Sequence, residues 1–356
     1  MAERTPGIQS RPGETGESVM KAISCSEPGR FAMIDAPEPA AAEDGVVIDI
    51  KRIGICGTDL HAYQGNQPFF TYPRILGHEL SGIVRSVGGR VEGLQPGDQV
   101  AVMPYMHCGT CIACRRGKTN CCTRMQVLGV HVDGGMRERI AVPAAHLLRT
   151  NELTLDQSAV LEPLSIGAHA VRRSGLQAGD TALVIGAGPI GLGVMAMAKR
   201  RGAAVIAMDM NEERLAFCRR WARADACVNA LQEPEQALLE LTNGDMPTVV
   251  FDATGSARSM AASFRYPAHG GTLVFVGLVK ASIDFDDPEF HKRELTLMGS
   301  RNATKEDFDA VKEALAAGDI DVDSFITHRA PFDSMISQFE TWMKPESKTM
   351  KAMVEL

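Results

Sequence analysis

Four thiols fall within 15 residues, as Cys108-x2-Cys111-x2-Cys114-x7-Cys122. A single loop-rich segment can fold them around a tetrahedral ion without help from elsewhere, and a closed set of four sulfurs is the ligand field of structural zinc. An iron–sulfur cluster takes the same ligands. Without a metal, so many neighbouring thiols would be a redox hazard. Cys121, beside Cys122, leaves the identity of the fourth ligand open. Cys25, Cys218 and Cys227 read as small apolar side chains.

A second set is dispersed. Cys56 lies in Gly54-Ile-Cys56-Gly-Thr58-Asp59-Leu-His61, His78 in Gly77-His78-Glu79, and Glu162 in Leu161-Glu162-Pro163. Each alone is explained as well by packing. Together they make the mixed sulfur, nitrogen and oxygen set of an open zinc site, with one position left for a substrate.

The third feature is Gly186-Ala187-Gly188-Pro189-Ile190-Gly191. An apolar run, Ala182–Ile185, leads into it and a helical stretch to Arg201 follows. In that setting the glycines serve a tight turn, close approach of backbone to a pyrophosphate, and close helix-on-strand packing. The helix N-terminus then presents its positive end to the phosphates. A further apolar run ends at Asp209, 23 positions after Gly186. There a carboxylate would accept from ribose hydroxyls and repel a 2′-phosphate, favouring NAD over NADP. Arg214, counted among the cofactor contacts, and Arg200 compete with that reading. They are either a phosphate clamp or solvated helix charges, the latter preferred while an acid holds the strand end.

The elements that must carry these groups fall into two textures. From Met20 to about Leu148, short β-type runs (46–50, 82–87 and 99–103) alternate with Gly and Pro turns, which is a β-rich, irregular domain. From about Ser165, apolar strands at 182–185, 204–208, 248–251 and 272–276 alternate with helical patterns, the signature of a parallel sheet with crossover helices. After Gly299 the chain has one helix, Lys305 to Ala317, and a mixed ending. That segment is too short for a domain and is expected to complete the first one. The expected division is a flexible extension over 1–19, a catalytic domain from 20–164 and 300–356, and an inserted nucleotide-binding domain over 165–299.

Composition excludes several alternatives. With 356 residues, 45% hydrophobic and 23% charged, the chain can bury a sizeable core and is not disordered. A net charge of −7 with no basic run argues against nucleic acid as a partner. The apolar stretch 182–198 holds four glycines and Pro189, punctuation foreign to a membrane span. Residues 1–19 lack the apolar core of a secretory signal. The expectation is a cytoplasmic protein whose cysteines stay reduced.

Gly77-His78-Glu79 followed by Gly82, the four-cysteine lobe and the later glycine motif together resemble the zinc-containing medium-chain alcohol and polyol dehydrogenases, over nearly all of 20–356. The resemblance implies a mixed α/β and β architecture: a GroES-like catalytic domain, completed by the C-terminal segment, around an inserted Rossmann domain with a doubly wound parallel sheet. It implies two zinc ions per chain and NAD, with Cys56 and His78 as catalytic-zinc ligands. Glu162 stands where the alcohol dehydrogenases have cysteine and resembles the polyol and threonine branches, touching zinc directly or through water. Glu79 could exchange onto the metal, and Asp59 would orient His78. Thr58 and His61 match a relay that carries the alcohol proton through the cofactor ribose to the surface. Subunits in this family form dimers or tetramers.

Two further stretches, 65–74 and 287–304, resemble the L-galactonate and L-gulonate 5-dehydrogenases, which implies oxidation of a hexonate at C5. A sugar acid needs a cation for its carboxylate. Arg301 and Asn302 are the candidates, with Lys292, Arg293 and Arg74 in reserve as solvated charges or ion pairs. A neutral polyol or secondary-alcohol substrate is the alternative within this chemistry. A non-enzymatic zinc-lobe binding module is the alternative outside it.

Overall fold

A computed structural model describes residues 18–67 and 70–356. Most of the expected N-terminal extension, and Pro68 and Phe69 within the 65–74 stretch, lie outside the described residues. Val19, assigned to the extension from sequence, instead opens the strand Val19–Glu27.

The second half of the chain builds a six-stranded sheet with neighbours in the order Ala226–Asn229, Ala204–Asp209, Thr181–Ile185, Val249–Asp252, Thr272–Phe275, Thr296–Gly299. All five pairings are parallel. In chain order the strands read 3-2-1-4-5-6, the Rossmann arrangement. The run 182–185 explains why such a strand is central. Ala182 and Val184 join one apolar cluster, and Leu183 and Ile185 join another on the opposite face. Both faces are buried, as crossover helices require. Strand order reverses beside Thr181–Ile185, so the glycine motif after that strand opens onto the crevice where dinucleotides bind.

The first half forms a mostly antiparallel sheet around the long strand Gly45–Ile55, which pairs with Glu79–Val87 and with Arg139–Pro143. The last strand of the chain, Ala352–Glu355, also pairs antiparallel with Gly45–Ile55. The C-terminus thus returns to the first sheet. The apolar stretch 182–198 divides between strand Thr181–Ile185 and helix Pro189–Arg200. Among the described residues no helix is long and apolar enough to cross a membrane.

One helix, Leu161–Ser174, links the two sheets and runs through the expected boundary at 164/165. Its Gly167 lies against the backbone of helix Pro189–Arg200: a Cβ there would come within 2.5 Å of the Gly193 carbonyl carbon and the Val194 nitrogen. The Glu162-bearing helix therefore stacks directly on the helix of the glycine motif.

Candidate functional site

The four lobe cysteines converge. The Sγ atoms of Cys108, Cys111, Cys114 and Cys122 all lie within 4.8 Å of one another, with Cys111 3.5 Å from Cys114 and 3.9 Å from Cys122. A disulfide would need about 2.05 Å. A tetrahedron with metal–sulfur bonds of about 2.3 Å has edges of about 3.8 Å, so the donor set fits zinc. Cys121 is exposed and stands outside the group. Backbone amides prepare the sulfurs. The Cys111 N–H points at Cys108 Sγ, and the Cys108 and Arg124 N–H groups at Cys122 Sγ. Amides of Thr110 and Cys111 bring the Cys108 thiol down to about 5, and those of Cys114 and Thr123 bring Cys111 to about 6. Burial, and hydrogen bonds to Cys111 and Cys122, push Cys114 up to about 12. Cys25 and Cys218 are buried among apolar side chains.

The dispersed set is positioned by one short helix and two strands. Cys56 caps helix Gly57–Tyr63 at the end of Gly45–Ile55. Asp59, in the first turn of that helix, accepts from the Cys56 amide at 2.9 Å and the Gly77 amide at 3.3 Å. Its carboxylate stands 3.8 Å from His78 Nδ1, where an orienting group belongs. Burial raises the Asp59 carboxyl against the pull of His78. Burial would lower His78, but Asp59 and Cys56 outweigh it and hold the imidazole well above its ordinary value.

The carboxylates are arranged differently from the sequence expectation. Glu79, expected as an exchanging group, lies with Cys56 and His78 inside a 4.8 Å cluster that does not include Glu162. Glu79 is nevertheless spoken for. Lys351 Nζ donates to its two oxygens at 2.6 and 2.7 Å and to the Ile55 carbonyl at 3.1 Å. Gly54 makes room, since a Cβ there would meet Glu79 Oε2 at 2.1 Å. Glu162 accepts from the Tyr105 hydroxyl through Oε1, while its Oε2, like His78 Nδ1, is buried without a partner. Burial, then Glu79, raise the Glu162 carboxyl to about 7 against His78, Tyr105 and Lys351. The orphaned Glu162 oxygen, with the Cys56 thiol and the His78 ring that turns its Nδ1 toward Asp59, suits a divalent cation. Tyr105 and Lys351 had no signal in the sequence, because neither belongs to a local motif.

Thr58 and His61 lie three apart on helix Gly57–Tyr63, hence on one face. Thr58 is half-buried and His61 exposed.

At the glycine motif, Gly186 has φ +98°, a conformation that favours glycine. A Cβ on Gly191 would meet the Gly186 carbonyl at 1.8 Å. Gly188 caps helix Pro189–Arg200, with Pro189 at its first position and Ile190 following. Asp209 ends its strand and anchors the loop, accepting from the Ala187 amide at 2.7 Å and the Asn211 amide at 2.9 Å. Arg200 pairs with Asp319, and Arg214 lies in the first turn of helix Glu212–Trp221, its amide donating to the capping Asn211 side chain.

The substrate candidates separate. Lys292, exposed, and Arg293, mostly buried and donating also to the Arg265 and Pro267 carbonyls, both pair with Glu289. Asn302, expected to contact substrate, instead donates its amide to the Asn120 carbonyl at 3.3 Å from a left-handed backbone, φ +53°. Asn120, buried within the cysteine lobe, in turn donates to the Arg301 carbonyl at 2.9 Å and meets His169 at 3.1 Å. His169 continues to Asp307 at 2.8 Å. Asn302 thus fixes the segment, and Arg301, whose side chain is exposed, remains.

A GroES-like sheet with two metal-type clusters, followed along the chain by a Rossmann sheet, defines a zinc-dependent alcohol dehydrogenase, and the chain belongs to that family. Residues 42–152 match the alcohol dehydrogenase GroES-like domain and residues 189–317 the zinc-binding dehydrogenase domain. It is an oxidoreductase that uses zinc and a nicotinamide dinucleotide. The L-galactonate-5-dehydrogenase of Escherichia coli K12 is 42% identical over 91% of this chain and 95% of its own. A 2-dehydro-3-deoxy-L-galactonate 5-dehydrogenase of Pseudoalteromonas atlantica is 34% identical over 91% and 95%. An alcohol dehydrogenase of Escherichia coli CFT073, solved with NADH, superposes with a TM-score of 0.89 at 30% identity, covering 95% of this chain and 100% of that one.

Proposed function

We propose that the protein oxidises a secondary hydroxyl of a sugar acid, C5 of a hexonate such as L-galactonate or L-gulonate, with NAD. The observation that carries this reading is the 42% identity, nearly end to end, to an L-galactonate-5-dehydrogenase. Cys56, His78 and Glu162 would hold the catalytic zinc, which supplies Lewis acidity toward the alcohol oxygen while NAD accepts the hydride. The remaining work belongs to the chain. Thr58 relays the hydroxyl proton, taking it up as it gives its own onward, and His61 delivers the proton to solvent. The Gly186–Gly191 turn holds the pyrophosphate, and Asp209 receives the ribose hydroxyls and repels a 2′-phosphate. Arg301 faces the carboxylate with a fork that Lys cannot reproduce.

In the same reading the enzyme is a cytoplasmic homodimer or homotetramer. Edge strand Thr296–Gly299 leaves Leu297 exposed at a sheet edge that a second copy could cover. The test is NAD and NADP reduction at 340 nm across hexonates and polyols. Hexonates should be turned over fastest, with NAD, and Arg301→Ala should harm hexonates more than neutral polyols. Faster turnover of sorbitol than of either hexonate would overturn the substrate.

A further inference from the structure

Two buried carboxylates stand at the mixed site, and their partners sort them. Lys351 occupies both oxygens of Glu79. Glu162 accepts from the Tyr105 hydroxyl through Oε1 alone, and its Oε2 is buried without a hydrogen-bond partner. The two donors differ in kind. An ammonium group cancels the charge of Glu79, whereas a neutral phenol lends its proton and leaves Glu162 an anion. Helix Leu161–Ser174, with Glu162 in its first turn, packs against strand Glu79–Val87, which His78 directly precedes. Ser81 on that strand donates to the Leu155 carbonyl, ahead of the helix, at 2.7 Å.

The Tyr105 ring is fixed by elements that do not carry Glu162. Tyr105–Met106 pairs antiparallel with Gln126–Val127, Tyr105 opposite Val127, and the Leu128 amide donates to the Pro104 carbonyl at 3.1 Å. These rungs are the stem of the cysteine lobe, with Cys108 following on one strand and Cys122 preceding the other. On another side the ring meets Phe308 edge-on, with centroids 6.2 Å apart and planes at 69°. Phe308 is fully buried on helix Lys305–Ala316. A hydroxyl held from two directions in the interior is a fixed point against which a carboxylate can be turned.

We propose that Tyr105 is a positioning residue for the catalytic metal. Its hydroxyl anchors Glu162 Oε1 and leaves Oε2 as the single oxygen that this carboxylate offers. One ribbon then serves both metal clusters, with sulfurs at its far end and a phenol at its base. The inference rests on the assignment of Glu162 to the catalytic zinc in the reading above, and adds the residue that aims it.

Tyr105→Phe keeps the ring against Phe308 and removes only the anchor. The parent protein, Tyr105→Phe, Glu162→Ala and the double variant are compared with cobalt in the mixed site and zinc in the lobe. Chelator competition, read through the visible absorption of cobalt, gives the affinity of the mixed site, and zinc analysis reports on the lobe. Tyr105→Phe should weaken metal binding at the mixed site about 10- to 100-fold, shift the cobalt spectrum, and leave the lobe its zinc. Glu162→Ala should weaken binding at least as much. Because the tyrosine acts through Glu162, the double variant should stay within about threefold of Glu162→Ala, a coupling that lost packing does not produce. Tyr105→Phe with the affinity and cobalt spectrum of the parent overturns the inference. So do losses that multiply in the double variant, or loss of lobe zinc in Tyr105→Phe. A harmful Glu162→Ala beside a harmless Tyr105→Phe removes the inference and leaves the ligand assignment standing. If Glu162→Ala itself binds metal as the parent does, the assignment falls and the inference with it.

Discussion

Lys351 and Glu79 form an ion pair that water does not reach, with 2% and 0% of their side chains exposed. Lys351→Met keeps the length of the side chain and removes the charge, stranding the Glu79 carboxylate. Removing one member of a buried pair costs about 3–5 kcal/mol, whereas replacing both by apolar groups of similar volume is close to neutral. The single variant should therefore lose about two to four powers of ten in its folding equilibrium, and Lys351→Met with Glu79→Leu should recover most of it. Denaturant unfolding of the zinc-loaded protein, followed through Trp221 and Trp342, measures both. The pair also predicts an alkaline limit. Burial would lower Lys351, but Glu79 and Cys56 raise it above its ordinary value. A raised lysine contributes stability that is intact below the unfolded pKa, about 10.4, and is lost as pH rises through the folded one. Unfolding midpoints for single and double variants that coincide, or a loss under about 1 kcal/mol for the single, would refute the reasoning.

Cys56→Ser should abolish turnover in a folded protein, while Cys111→Ser should lower thermal stability and zinc content from two equivalents to one, because a closed site contributes folding energy. Metal analysis unchanged by loss of the lobe would contradict this. Asp209→Gly removes the anchor of the glycine turn together with the ribose acceptor, so kcat/KM for NAD should fall about 10- to 100-fold and the NADP/NAD ratio should rise. In zinc-free protein, Glu162 titrates near 7 when folded against about 4.3 unfolded. The folded state then holds a proton that the unfolded chain has released, so stability should drop by up to about 3 kcal/mol as pH rises through that window. Urea midpoints between pH 5 and 7 should flatten in Glu162→Gln; an unchanged slope would exclude Glu162 as its source.

The parts of this molecule that were legible in its sequence are those whose physics is local. The cysteine lobe closes within 15 residues, and the glycine turn is bracketed by its own strand and helix. The mixed site was legible as a set of donors but not as a geometry. Which carboxylate lies nearest Cys56 and His78 depends on Tyr105 and Lys351, and Lys351 is 272 residues from Glu79. No spacing rule spans that distance, since the pairing exists only because the last strand returns beside Gly45–Ile55. The hold on Asn302 was illegible for a related reason. Its place next to Arg301 is visible in the chain, but its amide is committed to Asn120 across the fold.

The close approach of Gly167 to the Gly193 backbone, with Leu164 packed beside it, makes the Glu162 helix and the glycine-motif helix one mechanical piece. Cys56 and His78 ride on the antiparallel sheet instead. A metal held by all three would rivet a joint. Any swing of the dinucleotide half would pull on the carboxylate and leave the thiol and imidazole behind. Coordination would then register the angle between the halves, and the absorption spectrum of a cobalt-substituted enzyme would change when a dinucleotide closes the crevice, even with no alcohol present.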